Sequence, residues 1–265
     1  MPLVSIGDAE LNVEDHGRGR PVLLIAGLGG RLAFWHRQVA PFAEKFRVVL
    51  HDHRGTGAST RSAITYSVAQ MAGDVLKLMD ALDVARADLV GHSTGGAIAQ
   101  FLALHHPDRV GRIVLSASWA GPDPYFTQLF DLRLKVLVAL GPAAYLADGI
   151  LRGYAPAWLQ THPEVMTATA GERLASFPGV AIETSRIGAV MGHDLRARLP
   201  AVSARTLVIC AEDDAITPLP YSRELARLIP GARLATLPMG GHFAPQVDPE
   251  RYNRIVLAFL SEESD

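Results

Sequence analysis

Ser93, Asp214 and His242 are the residues of this sequence best placed to perform nucleophilic catalysis together. A serine hydroxyl is a weak nucleophile until a histidine removes its proton, and that histidine needs a carboxylate to hold its ring in the right tautomer. Each of the three lies in a loop or turn that follows a short apolar run, in the chain order serine, acid, histidine. Such a set predicts attack on a carbonyl carbon and transfer of the acyl group to water.

Ser93 stands at the centre of the turn 91–95, whose sequence is Gly-His-Ser-Thr-Gly. An apolar, strand-like run at 87–90 leads into this turn, and a strongly helical run at 97–104 leaves it. Glycines two residues before and two after the serine are typical of a strand-to-helix turn that is too tight for side chains at those positions. The short motif also occurs in ordinary turns, but the strand and the helix around it favour a nucleophile.

His242 is preferred as the base among ten histidines because it alone lies in a strand-end loop that can be paired with a carboxylate. The two glycines at 240–241 let this loop approach its neighbours closely. The acid is expected from the loop 211–218, which carries the adjacent residues Asp213 and Asp214. We assign Asp214 as the acid, and Asp213 is the alternative.

Metal binding is the other chemistry that clustered histidines suggest, and His51 and His53 flank Asp52. No further ligand follows them at a spacing typical of a metal site. The sequence therefore predicts no metal, and acyl transfer by a serine requires no cofactor.

Acyl transfer also needs hydrogen-bond donors for the oxyanion, each worth about 3 kcal/mol in the transition state. The N–H of Thr94, at the start of the predicted helix, is one candidate. The second is the N–H of Leu28 in the glycine-rich loop 26–30. A phosphate cradle is the alternative for such a loop, but no Lys-Ser or Lys-Thr pair follows it.

The composition describes a chain that can bury a large core and that binds a small ligand. The chain has 265 residues, of which 49% are hydrophobic and 20% charged, with a net charge of -2. This balance disfavours binding to nucleic acid or to an anionic membrane, and we expect an uncharged or singly charged small molecule. Residues 1–4 begin no basic stretch and no long apolar region, so we expect no secretory signal, and the most apolar segment, 136–147, falls short of the roughly 18 residues needed to span a bilayer. We expect a cytoplasmic protein, with a homodimer as the alternative to a monomer.

Short apolar runs alternate with helical segments, a pattern typical of a mostly parallel sheet with helices on both faces. Eight strands are predicted, at 3–6, 10–14, 21–26, 46–51, 87–91, 112–117, 206–211 and 233–237. The first two read as an antiparallel hairpin at one edge. Helical spacing of apolar residues predicts a helix at 67–82, and side-chain caps before Pro218 and Pro249 predict the starts of the last two helices.

The alternation stops between residues 120 and 198, where several helical pieces and many aromatic residues are found. We interpret 120–198 as a helical lid inserted between the two parts of the core, 1–119 and 199–265. Four aromatic residues are predicted to line a substrate pocket under the lid: Trp35, Trp119, Tyr125 and Phe126. The alternative for each is that it packs the lid onto the core.

With these residues in view, the sequence resembles the α/β-hydrolase superfamily over nearly its whole length. The matching positions are Gly27 to Gly30, Trp35, Asp52-x-Arg54-Gly55-x-Gly57-x-Ser59, the turn 91–95, Asp214 four residues before Pro218, and Gly241-His242. Within the superfamily the chain is most similar to the aminoacrylate (carbamate) hydrolases of pyrimidine utilisation, and next to the 3-oxoadipate enol-lactonases. One departure is Ala26, where many members carry a histidine before the oxyanion glycine.

The resemblance implies an α/β-hydrolase fold and cleavage of a small ester, lactone, amide or carbamate-like substrate by a Ser-His-Asp triad. An enol-lactonase or a general carboxylesterase is the alternative within this class, and peracid formation is a variant use of the same triad. A receptor that binds a small molecule without turnover is the alternative from another class, because a fold does not fix a function.

Overall fold

Eight strands form one mixed sheet in the computed structural model, which describes the backbone of residues 3–263 and their side chains except those of 168–170. The strands are β1 (Leu3–Ser5), β2 (Glu10–Gly17), β3 (Pro21–Ile25), β4 (Arg47–His51), β5 (Ala87–His92), β6 (Val110–Ser116), β7 (Thr206–Ala211) and β8 (Arg233–Leu237). Their order across the sheet is β1-β2-β4-β3-β5-β6-β7-β8. β2 pairs antiparallel with β1 and β4, and every other pairing is parallel.

Ten α-helices surround this sheet. They are α1 (His36–Ala43), α2 (Val68–Ala81), α3 (Thr94–His105), α4 (Pro124–Gly153), α5 (Pro156–Thr161), α6 (Glu164–Ala175), α7 (Val180–Met191), α8 (Leu219–Leu228), α9 (Ala244–Val247) and α10 (Pro249–Leu260). Short 3-10 turns lie at Leu32–Trp35, Pro107–Arg109 and Leu199–Ala201.

The central strands are mostly apolar and are buried at nearly every position because both faces of the sheet are covered. In β3, Leu23 and Ile25 pack in the core under α2, α3 and α8, whereas Val22 and Leu24 pack in the core under α1 and α10. The α/β fold, the eight strands and the helices on both faces that the sequence predicts are therefore confirmed. The carboxyl ends of β5, β7 and β8 meet at one edge, which brings three distant loops together.

Of the two predicted side-chain caps, the one at Asp248 is confirmed, and Ser67 caps the helix that apolar spacing predicted. The Ser67 hydroxyl accepts the Gln70 N–H at 3.0 Å before α2, and Asp248 accepts the Arg251 N–H at 3.2 Å before α10. The predicted cap at Thr217 is wrong, because α8 begins at Leu219 and the Thr217 hydroxyl lies 2.9 Å from Asp214 Oδ2. This side chain supports the candidate acid instead of a helix.

Helices α4 to α7 lie between β6 and β7, inside the predicted insertion 120–198. By length and composition α4 resembles a membrane-spanning helix. Its backbone leaves the helical region at Gly141, where φ is 83° and ψ is 178°. Each of the two resulting pieces is shorter than the roughly 20 residues that a membrane span needs. The cytoplasmic location stays a prediction.

Four histidines, all at most 5% exposed, have a pKa that burial lowers. They are His51, His53, His92 and His193. Desolvation lowers the pKa of His51 and of His193 from 6.5 to about 4. These rings stay neutral in the folded protein at a pH where the same rings in the unfolded chain take up protons.

We expect the free energy of unfolding to fall as the pH is lowered from about 7.5 to about 5.5. A histidine whose folded pKa lies below its unfolded value binds fewer protons in the folded state, and each such group costs up to about 1.4 kcal/mol per pH unit below the unfolded pKa. Burial raises the pKa of Asp88 and Glu183, and these carboxyls oppose the trend mainly at lower pH. Guanidinium unfolding followed by tryptophan fluorescence gives the slope, and His51→Gln should reduce it. Stability that is constant or that rises toward the lower pH would contradict the assignment.

Candidate active site

The turn that carries Ser93 connects β5 directly to α3 and holds the serine in a strained conformation. Ser93 has φ 53° and ψ −115°, which lies in a region that costs a residue other than glycine about 1–3 kcal/mol. A Cβ atom on Gly91 would lie 2.2 Å from the Gly95 carbonyl oxygen, and one on Gly95 would lie 2.0 Å from the Ile25 carbonyl oxygen. Only glycine fits at both positions, and the sharp turn presents the Ser93 side chain to the cavity.

Asp214 and His242 form a buried pair at the same edge of the sheet. His242 Nδ1 lies 2.8 Å from Asp214 Oδ2. The other carboxylate oxygen of Asp214 accepts the N–H groups of Ile216 and Thr217 at 2.8 and 2.9 Å. These bonds fix the carboxylate and hold the histidine ring in one orientation.

Asp213, the alternative acid, points to a different partner. Its Oδ1 accepts the Gly241 N–H at 2.8 Å, so it shapes the loop before His242 and does not bond to the ring. The geometry therefore favours Asp214 as the residue that orients His242.

The Ser93 hydroxyl makes no hydrogen bond to another described residue. Ser93 and His242 nevertheless line one cavity, and such a bond often tightens only when a substrate is bound. His92 lies beside them, with its ring centroid 4.7 Å from that of His242 and 4.5 Å from that of Phe34. This ring belongs to the cavity wall, which the sequence did not indicate, and it excludes water next to the candidate base.

The glycine-rich loop after β3 runs directly past Ser93. A Cβ atom on Gly27 would lie 3.1 Å from Ser93 Cβ, which shows how close the loop comes. Thr94 is the first residue of α3, so its N–H has no partner within the helix. Leu28 lines the cavity beside it. Both candidate oxyanion donors therefore belong to backbone segments that border the serine.

Arg186, from α7, fastens this loop to the lid. The side chain is fully buried, and its Nη2 donates to the Leu28 carbonyl oxygen at 2.7 Å. Its Nη1 donates to the Arg54 carbonyl oxygen at 3.1 Å. These two bonds fix the position of the Leu28 carbonyl group and so support the loop that carries the candidate oxyanion donor.

A cavity of about 300 Å³ lies between this edge of the sheet and the lid. Its apolar wall includes Phe34, Phe130, Ile216 and Phe243. Its polar wall includes Arg31 from the loop after β3 and five residues of helices α4, α6 and α7: Arg133, Tyr145, Glu172, Arg173 and Glu183. A small molecule with both apolar and charged parts fits such a lining.

The four aromatic residues predicted to line the pocket lie outside it, so this prediction is corrected. Trp35, Trp119 and Phe126 are fully buried, and the rings of Trp119 and Phe126 pack 4.8 Å apart. Tyr125 is 48% exposed, and its hydroxyl donates to the Ala215 carbonyl oxygen. These side chains pack the lid and the core, which is the alternative that the sequence had left open.

The residues that do line the lid side carried one signal in the sequence. Arg133 falls in helical register with Phe126, Phe130 and Leu137, all of which are buried. A charged residue on the buried face of a helix indicates a special environment. Among the described residues, no cluster of three His, Cys, Asp or Glu side chains could hold a metal ion.

This chain belongs to the α/β-hydrolase family, whose sequence pattern matches residues 20–249. Among its relatives is a protein of Azorhizobium caulinodans named "Putative carbamate hydrolase RutD", which is 37% identical over 262 residues and is matched over 99% of both chains. The predicted family and its enzymatic class are confirmed.

Two solved structures show how far the likeness extends. The enol-lactonase of Burkholderia xenovorans has a TM-score of 0.90 and 30% identity, over 98% of this chain and 100% of that one. A thermophilic esterase of Thermogutta terrifontis has a TM-score of 0.85 and 29% identity, over 95% of this chain and 93% of that one.

Proposed function

We propose that this protein is a serine hydrolase in which Ser93, His242 and Asp214 transfer the acyl group of a small ester, lactone, amide or carbamate-type substrate to water. The observation that carries the proposal is the 2.8 Å contact between His242 Nδ1 and Asp214 Oδ2, beside a cavity that Ser93 shares. If Nδ1–H donates to the carboxylate, Nε2 is free to accept the serine proton. The two sides of the imidazole thus have separate tasks.

The reaction has two halves. In the first, Ser93 Oγ bonds to the carbonyl carbon while its proton passes to His242 Nε2, and the carbonyl oxygen becomes an oxyanion that faces the N–H groups of Thr94 and Leu28. The bond to the leaving atom then breaks, and His242 gives that atom the proton. In the second half, water attacks the acyl carbon with His242 as base, and the Ser93 hydroxyl is restored.

The substrate class is inferred from the relatives and from the size of the cavity. The names of the three relatives are those of a carbamate hydrolase, an enol-lactonase and an esterase, and each such reaction breaks a bond from a carbonyl carbon to oxygen or nitrogen. A cavity of about 300 Å³ is at the small end for ligand pockets. A carbamate-type compound is the first candidate, and a small enol-lactone is the second because the enol-lactonase shares nearly the whole fold.

We expect a fluorophosphonate to add once to the protein, at Ser93, in intact-mass and peptide-mass analysis. A panel of an aminoacrylate-type compound, an enol-lactone and simple aryl esters would then rank the substrates by kcat/KM. Peracid formation from acetate and peroxide tests the variant use of the same triad. If nothing is turned over and no adduct forms while a panel compound still binds, the protein is a receptor and the proposal fails.

A further inference from the structure

The loop that carries His242 is bonded to the lid as well as to the core, and the proposed acyl transfer gives that contact no role. The Phe243 N–H donates to the Gly153 carbonyl oxygen at 2.8 Å. Gly153 is the last residue of α4 and is buried. The residue that follows the candidate base is thus attached to the end of a lid helix.

Backbone meets backbone at this contact, because both segments carry a glycine. A Cβ atom on Gly241 would lie 2.8 Å from the Gly153 carbonyl oxygen and 2.8 Å from the Ala155 nitrogen. Gly241 also has a φ of 64°, a conformation that glycine adopts at no steric cost. A side chain at position 241 would push the loop, and His242 with it, away from the lid turn 153–155.

The ring of Phe243 fills the space in front of Gly153. A Cβ atom on Gly153 would lie 2.1 Å from Phe243 Cε2. The ring has little room to swing aside, because its centroid lies 5.0 Å from that of Tyr154 and 5.8 Å from that of Phe34. Gly153 does not have a positive φ, so the missing side chain makes room for the ring and is not needed by the backbone.

His242 lies between two attachments of its loop. On one side the Gly241 N–H donates to Asp213 Oδ1 of the core at 2.8 Å, and on the other the Phe243 N–H donates to the lid. The imidazole and Ser93 line one cavity, and proton transfer between them depends on their exact separation. A displacement of about 1 Å in such an arrangement can cost about 100-fold in rate.

We propose that Phe243 is a positioning residue, whose N–H and ring, seated against Gly153, hold His242 where Nε2 can take the proton of Ser93. The inference rests on the proposed function, because it assigns a position to the candidate base. A shift of the lid turn 153–155 would shift the base as well. The lid thereby takes part in the chemical step in addition to covering the cavity.

A pair of substitutions and their combination test this role on the best panel substrate. Phe243 lines the cavity and Gly153 does not, so Gly153→Ala displaces the ring without changing a lining residue. We expect Gly153→Ala to lower kcat by about 10- to 100-fold and to change KM by about twofold at most. Phe243→Leu leaves the space in front of Gly153 partly empty and should lower kcat by about fivefold. In the double variant the new methyl group fills that space, and kcat should exceed that of both single variants.

Two further variants separate positioning from stability. Gly188→Ala also adds a methyl group to a lid helix, but it meets nothing within 4 Å and should keep kcat within about twofold. Leu159→Ala removes a buried side chain from the cluster in which Phe243 packs. It should lower the melting temperature without a comparable loss of kcat. If Leu159→Ala loses as much kcat as Gly153→Ala, or if the losses multiply in the double variant, the contact is merely structural and the inference is disproved.

Hydrogen exchange followed by NMR tests the attachment without turnover. In Gly153→Ala the Phe243 amide should exchange about tenfold faster or more, because its bond to the lid is lost. The Ile216 amide, which donates to Asp214, should not change. If the unmodified protein hydrolyses nothing and forms no fluorophosphonate adduct while the Phe243 amide responds, the hydrolase proposal fails and the attachment of the loop to the lid stands. If the protein is active but neither kcat nor the exchange changes in Gly153→Ala, the positioning role fails and the hydrolase proposal stands.

Discussion

Replacement of Ser93 by alanine is expected to lower kcat by about 10⁴- to 10⁶-fold for any substrate that the enzyme hydrolyses. In the proposed mechanism the Ser93 hydroxyl oxygen bonds to the carbonyl carbon, and the other hydroxyl of this turn, that of Thr94, does not line the cavity. The fold should survive, because alanine adds no atoms at a position where φ is already 53°. Turnover of the best panel substrate and the melting temperature measure the two effects.

Ser118→Ala is the matched control for this variant. Ser118 is also buried beside the turn, and its hydroxyl donates to the Ser93 carbonyl oxygen at 3.0 Å. It should retain most of the activity and the fluorophosphonate adduct. Full activity in Ser93→Ala would remove the serine mechanism altogether.

Asp214→Asn should lower kcat by about 10⁴-fold, because an amide can no longer hold the His242 tautomer that accepts the serine proton. The amide would keep the size of the side chain, so the loss would be one of chemistry and not of packing. Steady-state assays of the variant and the wild type at one pH measure this loss of kcat.

Asp213→Asn is the control that separates the adjacent acids. An asparagine at 213 still offers a carbonyl oxygen to the Gly241 N–H, and Asp213 forms no hydrogen bond to the His242 ring. We expect a loss of no more than about tenfold. Equal losses in the two variants would mean that the loop, and not a single carboxylate, orients His242.

The sheet was predictable because its strands are buried on both faces. The run 207–211 is apolar throughout, and the structure places β7 at Thr206–Ala211. Less of β2 was predictable: it continues to Gly17 through polar residues because Val13–Gly17 pair with β4. Pairing with a neighbouring strand, rather than hydrophobic pattern, decides the end of that edge element.

The candidate triad was predictable from chain order, but the pocket was not. Spacing placed Ser93, Asp214 and His242 after strands, yet it gave no means of choosing between Asp213 and Asp214, since adjacent residues in a loop can face either way. Aromatic content alone selected Trp35, whereas its neighbour Phe34 faces the cavity. Tertiary packing decides which way a side chain points in the 3-10 turn that holds Phe34 and Trp35, or after the kink of α4 at Gly141. The sequence alone does not show this packing.

The hydrogen bond from Arg186 to the Leu28 carbonyl oxygen connects the lid to the glycine-rich loop after β3. A lid is often regarded as an exchangeable module: evolution or an engineer can replace it to alter the substrate range while the catalytic core stays unchanged. In this enzyme Arg186 of α7 supports the loop that carries Leu28. A transplanted lid without an arginine at this position would therefore alter the reaction rate along with the substrate range. Lid and core are thus constrained to change together.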